Sequence, residues 1–153
     1  MEIKGIEQAF VTLHCGLGCF RSIDVEDLTK HKTDSEEMHV TQEACDIINN
    51  AKKNGKRIVA VGTTVQRVLE TAVSADNNLK PYNGWTNKFI FPPHEFRLAD
   101  AMIANFYTPL STMLMLTAAY GGYDLVMKAY KEAMRYNESD PKRRYRFGTF
   151  GDA

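Results

Sequence analysis

A chain of 153 residues is long enough for one domain that buries roughly 68–70% of the surface its unfolded form exposes. With 44% hydrophobic and 25% charged residues it has the composition of a soluble globular protein, which excludes an intrinsically disordered one. Nineteen basic residues cancel nineteen acidic ones, which excludes a whole-surface field for nucleic acid, so any polyanion must meet a local patch.

Residues 10–14 (FVTLH) are a β-rich run ended by Gly16 and Gly18, whose missing Cβ permits tight turning or close approach to a ligand. Residues 22–40 are polar and mixed and read mostly as loop, with a brief strand over 37–40. Thr41 caps a helix in which Ala44, Ile47, Ile48 and Ala51 recur at i, i+3, i+4 and i+7, with Lys52 and Lys53 at its end and Gly55 beyond. The apolar run RIVAV, residues 57–61, is expected to be a fully buried parallel strand. Gly62, Thr63 and Thr64 turn it into a helix carrying Val65, Val68, Leu69 and Ala72. Residues 74–84 read as an exposed loop and 85–91 as a strand halted by Pro92 and Pro93. Pro109 or Ser111 opens a helix, STMLMLTAAY, apolar nearly all round and so expected to be buried. Gly121 and Gly122 separate it from an amphipathic helix with Leu125, Val126, Ala129, Tyr130 and Ala133 inward. The tail begins as a turn and ends as an aromatic strand. Helix, buried strand, tight turn and helix make the expected fold class α/β, a layered sheet with flanking helices in a single domain over residues 1–153.

No run of about eighteen apolar residues spans a membrane, and the first residues, MEIKGIEQAF, lack a secretory apolar core, so a cytoplasmic location is expected. Cys15, Cys19 and Cys45, an odd count, fit reduced thiols better than a disulfide framework. Cys15 and Cys19 lie beside His14, but no second Cys/His pair follows at zinc spacing, so no metal is expected.

The turn Gly62-Thr63-Thr64 delivers free backbone N–H groups, the positive end of a helix dipole and two hydroxyls to one place, a setting for a carboxylate, phosphate or ribose. A plain threonine cap is the alternative. His14, with Gly16 and Gly18, is either a proton-transfer group or a hydrogen-bonded strand-end histidine. His31 and His39 flank Asp34, Glu36 and Glu37, carboxylates that can tune an imidazole or simply face solvent. Asn105, Ser111 and Thr112 precede the apolar helix, where they cap it or hold an anion. Lys142, Arg143, Arg144 and Arg146 alternate with Tyr145 and Phe147, a basic and aromatic mix that meets phosphates and bases or marks an edge strand.

Taken together, VTLHCGLGCF, GKRIVAVGTTVQRVLET, GWTNKFIFPPHEF, NFYTPLSTMLML and RYRFGTFGDA resemble the S-adenosylmethionine:tRNA ribosyltransferase-isomerase family of queuosine biosynthesis. The resemblance covers almost the whole chain and corresponds to about the C-terminal half of a usual member. It implies transfer of the ribosyl part of S-adenosylmethionine to 7-aminomethyl-7-deazaguanine in tRNA, with rearrangement to epoxyqueuosine and release of adenine and methionine. It further implies proton transfer by His14, with His31 and Asp34 in the segment that commonly reads H-x-M-H-S-E. S-adenosylmethionine, as co-substrate without a metal, would meet Gly16, Gly18, Gly62, Thr63, Thr64, Arg67, Asn105, Ser111 and Thr112. Arg143, Arg144, Tyr145, Arg146, Gly151 and Asp152 would complete the C-terminal motif toward tRNA. Where the family commonly has N-F-H-x-P-K-S-T, Tyr107 and Leu110 replace a histidine and a lysine. A non-catalytic module that binds S-adenosylmethionine, tRNA or a partner chain is the competing expectation. A missing N-terminal half would leave an apolar face that favours self-association.

Overall fold

The computed structural model describes residues 4–139, 142 and 144–148. Its central strand is written by alternation: in β2 (Glu36–Val40), Glu36, Met38 and Val40 are buried while Glu37 and His39 face out. β2 lies between β1 (Thr12–Leu13) and β4 (Tyr82–Thr86) in an antiparallel three-stranded sheet, with Met38 opposite both Leu13 and Gly84. The strand expected at 10–14 therefore keeps two residues, continued by one bond from the His14 N–H to the Glu37 carbonyl at 2.9 Å. The strand expected at 85–91 starts earlier, at Tyr82, and stops at Thr86, because β2 offers partners only as far as Glu36. The Thr86 hydroxyl then accepts the Lys88 N–H at 3.2 Å and ends the ladder.

Helix α1 (Gln42–Lys53) forms as its spacing predicts, with the Thr41 Oγ1 accepting the Ala44 N–H at 3.1 Å and Ala44, Cys45 and Ile48 buried. β3 (Val59–Val61) pairs in parallel with β5 (Ala101–Ile103), a strand the sequence reading did not contain. β3 is not fully buried as expected. Only Ala60 points into the core, where it joins Val68 and Leu69 of α2 (Thr63–Ala72), whereas Val59 and Val61 are 48% and 60% exposed. The reason is that, among the described residues, the parallel sheet has two strands and is covered on the Ala60 side; Ile103 of β5 is exposed alongside. Met38, Val40, Ile48, Leu69 and Leu79 join α1, α2 and the antiparallel sheet in one core.

Helix α3 (Thr112–Gly121) is capped by Ser111, whose Oγ accepts the Leu114 N–H at 3.1 Å, and buries Leu114, Leu116 and Ala118. Gly122, at φ 82°, starts α4 (Tyr123–Ser139). Of the inward set expected on α4, Val126 and Ala133 are buried, but Leu125 and Ala129 are exposed, because a single helix, α3, and the tail cover only a narrow stripe of α4. The described tail residues 144–148 form no strand. Their polar backbone instead pairs with the Asn137 amide at Tyr145, and Phe147 packs on Phe106 and Tyr130. Among the described residues, no helix is long and apolar enough to cross a membrane.

Met38 is fully enclosed, so Met38→Ala is expected to lower the unfolding free energy by about 2–5 kcal/mol in urea titration. The neighbouring outward substitution Glu37→Ala should stay within about 0.5 kcal/mol.

Candidate functional site

β3 brings the chain to Gly62, whose φ of 103° is open to glycine and disfavoured for other residues, and whose N–H bonds the Ile103 carbonyl at 2.8 Å. No side chain caps α2, which leaves its first N–H groups for another acceptor. A cleft opens there, walled by Thr63, Thr64 and Arg67 of α2, Thr112, Met113 and Leu116 of α3, Lys88, Phe89 and Ile90 after β4, and Cys19 and Thr33. Counting the part open to solvent, it holds about 350 Å³. A second cleft shares Cys19 and Met113 and is lined further by Arg21, Tyr107, Leu110 and Ser111.

The floor between β2 and α2 is a buried ion pair. Glu36 and Arg67 have side chains 2% and 11% exposed, and the guanidinium meets the carboxylate Oε2 directly. Oε1 accepts the Gly16 N–H at 2.7 Å and the Cys19 thiol at 3.0 Å. Burial pushes the Glu36 carboxyl up, but the hydrogen bonds from Cys19, Gly16 and Arg67, with the Arg67 charge, outweigh it and hold the pKa below the ordinary glutamate value. Beside this pair the Cys15 thiol is drawn down to about 7, first by its hydrogen bond with Cys19, against burial and the Glu36 charge and with help from Arg67. The Cys19 thiol is pushed up by the same hydrogen bond, by burial and by its bond to Glu36. Cys15 Sγ, Cys19 Sγ and a Glu36 oxygen lie within 4.8 Å of one another.

The sequence-predicted residues divide between this cleft and its surroundings. Thr63, Thr64, Arg67 and Thr112 come together on its wall, with Gly62 at its base. The buried Thr63 hydroxyl is taken by the Tyr107 hydroxyl at 3.1 Å, while among the described residues no hydrogen bond engages that of Thr64. Gly16 serves Glu36 through its N–H. Gly18 is required by Asp34, since a Cβ on it would lie 2.6 Å from the Asp34 carboxylate. Asp34 itself pairs with Arg21 at 3.5 Å in the solvent. His31 sets its ring 4.9 Å from that of Phe89, on the cleft wall, whereas His14 is exposed and lines neither cleft. Ser111 is a helix cap that borders the second cleft, and Asn105 lines neither. Arg144, Tyr145 and Arg146 are exposed; Arg143, Gly151 and Asp152 lie outside the described residues.

Sequence reasoning missed Lys88 and Phe89 on the wall and the role of Glu36. Glu36 was findable, because it stands at i−2 and i−4 to Met38 and Val40 on the buried face of one strand, where a carboxylate needs a cation. Lys88 had no such signal. Its half-burial, which pushes its pKa down, follows from the turn after Thr86.

A family model described as "Queuosine biosynthesis protein" matches residues 1–153. A relative from Phocaeicola vulgatus, named S-adenosylmethionine:tRNA ribosyltransferase-isomerase, is 65% identical over 153 residues, and one of the same name from Bacteroides fragilis is 62% identical. Each alignment takes in 100% of this chain and 42% of the relative, so the chain spans about two fifths of the length of these curated relatives. The crystal structure of an S-adenosylmethionine tRNA ribosyltransferase from Thermotoga maritima is similar at a TM-score of 0.74 and 40% identity, over 99% of this chain and 45% of that one.

Because the Glu36 carboxyl is lowered on folding, it contributes stability that is complete above the unfolded value of about 4.3 and is lost as pH falls through the lower folded value. Urea unfolding measured across that acid range is expected to show a shallower loss in Glu36→Gln than in the parent chain. Arg67→Met, which leaves a buried carboxylate unpaired, should cost about 3–5 kcal/mol at neutral pH.

Proposed function

The chain belongs to the queuosine biosynthesis protein family, and on that premise we propose that it takes part in transferring and isomerising the ribosyl group of S-adenosylmethionine onto 7-aminomethyl-7-deazaguanine in tRNA. The observation that carries this reading is the match of the family over every residue, together with a cleft at the end of β3 that offers uncapped helix N–H groups, hydroxyls and a cation. Thr64 and Thr112 suit the sugar hydroxyls of the co-substrate, and the N–H groups of α2 with Lys88 suit its carboxylate. Arg67 is not the free cation, since Glu36 already neutralises it; its place is to fix the wall. The reaction needs a base for a proton beside the sulfonium, and the imidazoles of His14 and of His31, against Phe89, are the groups we assign to proton transfer. Asp34, paired with Arg21, orients the loop that carries His31. The exposed Arg144, Tyr145 and Arg146, with Arg143 and Asp152, are assigned to tRNA, and the protein to the cytoplasm.

A second reading has its own support. His14, the group assigned to proton transfer, lines neither cleft, which fits a module that binds the same ligand without turnover.

Calorimetric titration with S-adenosylmethionine is expected to show binding, weakened by about 1.5–3 kcal/mol, or about 10- to 150-fold, in Lys88→Met. An adenine-release assay on precursor-modified tRNA then separates the readings. Release that is lost in His14→Ala supports the transferase, binding without release supports the module, and absence of binding overturns both.

A further inference from the structure

Three thiols are present, and two of them stand together. Cys15 is exposed just after β1, and Cys19 is half-buried in the 3-10 turn Leu17–Phe20, with Gly16, Leu17 and Gly18 between them. Their Sγ atoms fall within the 4.8 Å group that includes a Glu36 oxygen, and the Cys19 thiol donates to that carboxylate at 3.0 Å. Cys45 lies apart, buried in α1.

We propose that Cys15 and Cys19 are a redox-active pair, in which Cys15 attacks a small-molecule disulfide and Cys19 resolves the adduct to close a Cys15–Cys19 disulfide at the wall of the cleft. The division of labour follows from position. Attack needs an accessible sulfur, and Cys15 has one; resolution needs a second sulfur within reach and sheltered from competing reagents, which is Cys19. Cys19 stays a thiol bonded to Glu36 Oε1 at 3.0 Å until it attacks, and that carboxylate is placed to take its proton as it does. Two sulfurs within 4.8 Å of one another across a glycine-flanked turn need side-chain rotation to reach the bonding distance of about 2.05 Å.

The step balances. The Cys15 thiolate bonds one sulfur of glutathione disulfide and expels glutathione thiolate, which takes up the proton Cys15 gave up. The Cys19 sulfur then bonds Cys15, expels the second glutathione thiolate and yields its own proton to it. The protein loses two hydrogens and two electrons in all, and one oxidant disulfide becomes two thiols. A divalent ion on the same two sulfurs and Glu36 is the weaker use of the cluster, because Glu36 is already neutralised by Arg67, whose charge repels a second cation. None of this depends on the chain's activity toward tRNA.

The test is mass spectrometry of the reduced chain after incubation with glutathione disulfide and trapping with N-ethylmaleimide. Both cysteines lie on the tryptic peptide of residues 5–21 and Cys45 lies on that of residues 33–52, so the sites read out separately. Expected is the first peptide lighter by two hydrogens, unlabelled by maleimide and restored by dithiothreitol. Cys19→Ser should stop at a stable glutathione adduct on Cys15, and Cys15→Ser, altered at an exposed position, should give neither product. The alkylation rate of Cys15 should titrate with a midpoint of about 7 and move toward about 8.5 in Cys19→Ala. A parent chain that accumulates the Cys15 adduct, or that takes maleimide on both thiols after oxidation, overturns the proposal, as does a Cys15 midpoint that Cys19→Ala leaves unmoved.

Discussion

The arrangement depends on one buried charge. Glu36 occupies the core face of β2 in line with Met38 and Val40, so folding the strand carries a carboxylate into an apolar layer. A lone carboxylate there would be untenable, and three partners make it tolerable: Arg67 from α2, the Gly16 N–H and the Cys19 thiol. The partners come from two other pieces of chain, the loop after β1 and α2. By satisfying Glu36, the loop after β1, the sheet and α2 are fixed in one register, and the first turn of α2 is held against the cleft.

A second chain of contacts anchors the opposite wall. Thr63, the first residue of α2, shares a hydrogen bond with the hydroxyl of Tyr107, and the Tyr107 backbone is held at both ends by Tyr130, whose hydroxyl accepts its N–H at 2.6 Å and donates to its carbonyl at 3.1 Å. Phe106 packs its ring against Tyr130, Tyr145 and Phe147, and its carbonyl accepts the Gly148 N–H at 2.6 Å. The tail is thus coupled to α2 by aromatic contacts and hydrogen bonds, and the residue that stands where the family commonly has a histidine is a structural link in that path.

What was legible in the sequence was local. The α1 helix and its Thr41 cap follow from a 3.6-residue period with clear punctuation, and the turn at Gly62 follows from a strand meeting a helix. What was not legible depended on partners far along the chain. β5 is three residues long and is a strand only because β3 pairs with it. β4 begins at Tyr82, within a stretch whose Asn83 and Gly84 read as loop, because β2 supplies a ladder there. The apolar run 57–61 has the composition of a buried strand, yet nothing within it reveals that only one face would be covered. The site was partly visible in the same way: Thr63, Thr64 and Arg67 share one helix, whereas Lys88 and Phe89 join them only through the tertiary fold.

Charge narrows what the cleft accepts. Arg67 is cancelled by Glu36, and Glu70, on the buried face of the same helix, is served by the Arg97 N–H at 3.0 Å and faces His94 at 3.3 Å and the Arg97 side chain at 3.8 Å. Among the described residues, that leaves Lys88 as the cation on the cleft wall with no ion pair, together with the partial positive charge at the start of α2. One desolvated ammonium and a helix end balance about one negative charge. A dianionic phosphate would bring more charge than the wall offsets, while a single carboxylate would match it and its charge would offset the desolvation that depresses Lys88. On the proposed reading this favours the amino-acid end of S-adenosylmethionine at the wall and leaves the phosphates of tRNA to the exposed arginines of the tail.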